Sequence, residues 1–80
     1  MHDAELVFDY ATPEAAALVA DSIQQEVDDI EGDRTTATVV HDRRVVRIDI
    51  DADDLVALRA GLNTWTTLIE VAERTLEAGR

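Results

Sequence analysis

The chain contains no cysteine and no lysine, a single proline, three glycines and one each of phenylalanine, tyrosine and tryptophan. Without cysteine there are no disulfides and no thiolate-held metal. Three widely separated glycines leave no glycine-rich loop to cradle phosphate. Nucleophile-elbow, zinc and His/Glu helix motifs are missing as well. No apolar run approaches the roughly 18 residues that would span a membrane, and no basic-then-apolar leader opens the chain. The expectation is a cytoplasmic protein without cofactor or metal. So few aromatics in 80 residues offer little pocket in which to raise a carboxylate pKa. An enzyme acting alone is not expected.

What is present is acid. Asp and Glu number 18 against seven Arg, for a formal net charge of −11. An Asp-heavy chain without lysine, rich in Ala, Thr and Val, looks adapted to concentrated salt, where the screening length falls to about 3 Å. Net acidity normally argues against a nucleic-acid partner. In an acidified proteome that inference loses force, because acidity then reflects habitat rather than ligand.

The segment from Asp53 to the C-terminus reads as one long helix. Leu55, Leu58, Leu62, Trp65, Ile69, Ala72 and Leu76 are spaced by 3, 4, 3, 4, 3 and 4 and share one stripe. Asp51 or Asp53 is the candidate N-cap, Arg74 and Arg80 suit the negative end, and Gly79 suits a left-handed stop. At 1.5 Å per residue the helix runs about 39 Å. A second stripe, Ala57, Gly61, Thr64, Leu68, Val71 and Thr75, lies about 100° round from the first. Its small N-terminal members would let another backbone come close. Two stripes exceed the single arc of about 100° that an ordinary surface helix buries. The helix is therefore expected to touch both its own sheet and a second helix, internal or belonging to a partner.

His2 to Tyr10 alternates as a half-buried strand. Thr12-Pro13-Glu14 is a helix start, and the helix is predicted to run to about Ile30 on a core stripe of Ala16, Val19, Ala20, Ile23, Val27 and Ile30. Leu18 falls off that stripe between Ala15 and Ser22, a candidate docking spot. Asp28, Asp29, Glu31 and Asp33 read as a solvated loop, because they meet no fixed metal-ligand spacing. Thr35 to Val40 is a β-branched strand, His41 to Arg44 a polar turn, and Val45 to Asp51 the returning strand. Arg43, Arg44 and Arg47 concentrate three positive charges within five residues. Either they answer neighbouring acids, or they touch phosphate.

The order strand, helix, strand, strand, helix gives one α+β domain over residues 1–80. The expected architecture is a two-layer sandwich. Its three-stranded antiparallel or mixed sheet has the third strand in the middle and both helices on one face.

Within the last helix, Leu58-Arg59-Ala60-Gly61-Leu62-Asn63-Thr64-Trp65 resembles the "LRA..NS-aromatic" signature of the small subunit of the KEOPS complex. Element order and length fit over essentially the whole chain. Thr64 stands where the family has serine, and Thr67 where it often has arginine. The resemblance implies a non-catalytic, homodimerising subunit that binds a catalytic threonylcarbamoyl-transferase, in a complex that makes N6-threonylcarbamoyladenosine in tRNA. On this view Leu18, Ala57, Gly61, Thr64, Leu68 and Val71 are the candidate partner-binding residues. Arg43, Arg44, Arg47, Arg59 and Asn63 are the candidate tRNA contacts, Arg59 and Asn63 being neighbours one turn apart. The alternative is a regulatory α+β dimer that binds a small metabolite. Such modules usually place glycine at a strand–helix turn, and Ala11-Thr12-Pro13 has none.

Overall fold

A computed structural model describes residues 2–26 and 34–78. Five elements follow in the expected order: β1 (His2–Asp9), α1 (Pro13–Gln24), β2 (Thr35–Asp42), β3 (Val45–Ala52) and α2 (Leu55–Ala78). The strand order is β1-β3-β2, and both pairings are antiparallel. β3 is thus the middle strand and β1 runs parallel to β2 across it. Both helices pack on one face, as expected from the element order.

The alternation of apolar and polar residues fixes the two faces of the sheet. Towards the helices the cross-strand rows are Ala4–Ile50–Ala37, Leu6–Ile48–Val39 and Phe8–Val46–His41. Val46, Ile48 and Ile50 of the middle strand are fully buried. Val19 and Ile23 of α1 and Trp65 and Ile69 of α2 close the core from above.

Local chemistry sets the ends of the elements. Thr12 caps α1, its hydroxyl accepting the Ala15 N–H at 3.1 Å, and Pro13 starts the first turn. The helix stops at Gln24, six residues short of the predicted end, in a tightened turn where the Glu26 N–H donates to the Ile23 carbonyl. Its last turn contains no basic residue to offset the helix dipole. Val27, Ile30 and the acids at 28, 29, 31 and 33 lie outside the described residues, as do Gly79 and Arg80. The cap of α2 is neither Asp51 nor Asp53. It is Asp54, which accepts the Ala57 N–H at 2.8 Å and also pairs with Arg34. Beside it, the Asp53 N–H donates to the Arg34 carbonyl. The start of α2 is thereby tied to the start of β2.

The predicted four-residue turn is a two-residue one, Arg43-Arg44, because His41 and Asp42 stay in register opposite Val46 and Val45. A connection this short needs positive φ to match the strand twist. Arg43 supplies it at φ 56°, at a cost of about 1–2 kcal/mol for a residue with a side chain. The His41 Nε2 donates to the Arg43 carbonyl at 2.9 Å and holds the turn.

Candidate partner-docking groove

The face of α2 that meets the sheet is Ala57, Gly61, Trp65, Ile69 and Ala72. Its C-terminal half belongs to the first predicted stripe. Its N-terminal half does not: Leu55 is 56% exposed, and Leu58 and Leu62 are only partly buried at the flank. Ala57 and Gly61 take their place for a geometric reason. Ile50 lies between Ala4 and Ala37 in its row, so the sheet is low on either side of it. The helix settles onto that spot, and a Cβ added at Gly61 would sit 3.4 Å from Ile50 Cγ2. Small residues do permit a close approach here, but to the chain's own sheet. Ala57 and Gly61 are therefore removed from the partner-binding set.

Of the other four candidates, Leu68 and Val71 line one groove, and Leu18 and Thr64 each lie one turn from a residue that does. A groove of about 260 Å³ runs between the helices, lined by Ser22 and Ile23 of α1, by Gln25 and Glu26 just past its end, and by Leu68, Val71, Ala72 and Thr75 of α2. Leu18 sits one turn before Ser22 on the same side of α1, and Thr64 one turn before Leu68 on α2. Leu18 is 58% exposed and Val71 49%. Leu68 is half-buried at the groove floor, and Thr64 is exposed, its hydroxyl donating to the Ala60 carbonyl at 2.9 Å. Ile23 of α1 and Leu68 and Val71 of α2 thus line one concave strip. Gln25 and Glu26 were not singled out in the sequence. They sit just past the last turn of α1, and Glu26 follows Ser22 by four residues.

The five candidate tRNA contacts do not form one surface. Arg47 lies on the sheet face away from the helices, its Nε 3.1 Å from Asp49 Oδ2 and 3.7 Å from Glu5 Oε2. Arg43 and Arg44 are exposed at the hairpin tip, beside Tyr10, whose N–H donates to the Arg44 carbonyl. Arg59 and Asn63 are exposed on α2. The tip is anchored near Glu73, because the Tyr10 hydroxyl donates to Glu73 Oε2 at 2.7 Å. Arg59 precedes Glu73 by fourteen residues, or about 21 Å of helix. A single phosphate cannot bridge the two sites.

The Tyr10–Glu73 bond joins residues 63 apart in sequence, and no local pattern could have revealed it. Burial pushes the Tyr10 phenol well above its ordinary range, reinforced by the bond to Glu73 and by that carboxylate's charge. Because the pKa is raised on folding, its contribution is fully present below about pH 10 and fades as the phenol ionises at higher pH. Urea melts from pH 8 to 11.5 should show alkaline destabilisation in the natural chain. Tyr10→Phe should be less stable by about 1 kcal/mol at pH 8 and should lack most of that alkaline slope. Equal slopes would contradict the assignment.

Among the described residues, no cluster of three His, Asp or Glu side chains could hold a metal ion. The groove can bury apolar surface.

Residues 3–77 match the protein family described as "Transcription factor Pcc1". A chain of the solved structure titled "Crystal structure of binary complex Gon7-Pcc1" has a similar fold, with a TM-score of 0.84 over 99% of this chain and 96% of that one, at 18% identity. No curated protein matches the sequence.

Proposed function

The chain belongs to the Pcc1 family of small accessory subunits of KEOPS, and from that premise we propose that it docks the catalytic threonylcarbamoyl-transferase subunit through the groove between α1 and α2 and joins a second copy of itself. It thereby supports N6-threonylcarbamoyladenosine formation in tRNA without taking part in the chemistry. The observation that carries the docking site is the groove between the two helices, which Ile23 of α1 and Leu68 and Val71 of α2 line, with the exposed Leu18 one turn before Ser22 at its margin. A helix laid into such a strip buries apolar side chains that water now covers. Co-expressed with the transferase subunit, the chain is expected to elute with it as one stoichiometric assembly at high salt. Separate elution would overturn the proposal.

A contact with tRNA is best supported at the hairpin tip, where two exposed arginines are adjacent. Arg43 and Arg44 carry no ion pair among the described residues, whereas Arg47 is held by Glu5 and Asp49. Replacing both tip arginines with serine should weaken tRNA binding by the assembly and lower its salt dependence. An unchanged salt slope would remove the tip from the RNA surface.

A further inference from the structure

The face of the sheet turned away from the helices is built asymmetrically. Where β1 meets β3, its cross-strand rows are Asp3–Asp51, Glu5–Asp49, Val7–Arg47 and Asp9–Val45. Where β2 meets β3, the same β3 residues are opposed by Thr36, Thr38, Val40 and Asp42. Acid therefore stands directly opposite acid twice along one ladder and never along the other. Side chains directly opposite one another lie about 5 Å apart at Cβ, and like charges there oppose pairing.

Only one of the two acidic rows is relieved. Arg47 reaches over from the next row to both Glu5 and Asp49. Asp3 and Asp51 are both exposed, and no described cation lies within ion-pair distance of either. His2 cannot serve, because its register opposite Ala52 places it on the helix-facing side.

We propose that ionic strength controls the attachment of β1, so that dilute salt loosens this strand from β3 while the β2–β3 hairpin stays paired. The agent is diffuse screening, with no bound ion. At low salt the screening length exceeds the separation of the opposed carboxylates several-fold, whereas at molar salt it falls to about 3 Å. Releasing β1 also withdraws Leu6, Phe8 and the Tyr10–Glu73 bond from α2, so the strand carries part of the core with it.

Residue-resolved amide exchange on the full chain tests this. At 50 mM KCl the β1 amides bonded to β3 should exchange about tenfold faster, relative to the β2–β3 hairpin amides, than they do at 2 M KCl. Asp3→Asn or Asp51→Asn should close most of that gap at 50 mM, whereas Glu77→Gln on exposed α2 should not. Choline chloride at equal ionic strength should act like KCl. The proposal fails if both ladders lose protection in parallel, if the Asn variants keep the gap, or if only metal cations restore β1.

Discussion

Replacing Trp65 with alanine is expected to unfold the chain at room temperature in moderate salt. Trp65 is the largest buried side chain among the described residues, 1% exposed, and it belongs to the same core cluster as Ile48, Ile50 and Ile69. Truncating a buried tryptophan costs about 3–5 kcal/mol, part transfer free energy and part cavity. Single domains have about 5–15 kcal/mol in all, and an 80-residue chain sits at the low end because so little of its surface can be hidden. Far-UV circular dichroism with urea titration checks this, since the substitution removes the only indole. Trp65→Phe should remain folded, weakened by a smaller amount. An alanine variant with an unshifted urea midpoint would mean that Trp65 is not the keystone its burial indicates.

The second large effect falls on assembly and spares the fold. Leu18→Asp combined with Val71→Asp should weaken capture of the transferase subunit at least 100-fold. Both side chains stand about half in water in the isolated chain, so the substitutions should change its own stability by only about 0.5–1 kcal/mol. Buried in an apolar contact, each carboxylate would have to leave water without a partner, at a cost of several kcal/mol. Calorimetric titration of the variant into the transferase reads the affinity, and a parallel urea melt reads the fold. Affinity within threefold of the natural chain, with an intact fold, would place the contact elsewhere. Gly61→Glu makes an instructive comparison. With Gly61 against Ile50, that change forces a carboxylate into the sheet–helix contact, so its damage should show in the melt before it shows in the titration.

Which face of each strand meets the helices was legible in the sequence, because period-two alternation leaves one choice of inside and outside. So was the middle position of β3, which follows from a long crossover and then a hairpin. The docking groove was half legible. Leu18 and Val71 announce themselves as large apolar side chains off their core stripes, whereas Ala57 and Gly61 look identical from the sequence whether they approach a sheet or a helix. Deciding between these required the alanines on either side of Ile50, which belong to the two flanking strands and are distant in sequence. The helix cap was missed because Asp51, Asp53 and Asp54 are all capable acceptors, and the pairing with Arg34 favours Asp54. The arginine set was legible as charge, but its division among three places depends on the sheet register and on the long-range bond from Tyr10 to Glu73.

The placement of β3 between its two predecessors also has a temporal meaning. Translation delivers β1 and β2 before β3, the strand to which both are bonded. At about 5–20 residues per second, the ribosome exposes the first strand for several seconds with no ladder to join. A chain threaded in this order closes its sheet only after Ala52 has cleared the exit tunnel, and the amphipathic α1 spends that interval without the surface it was made to cover.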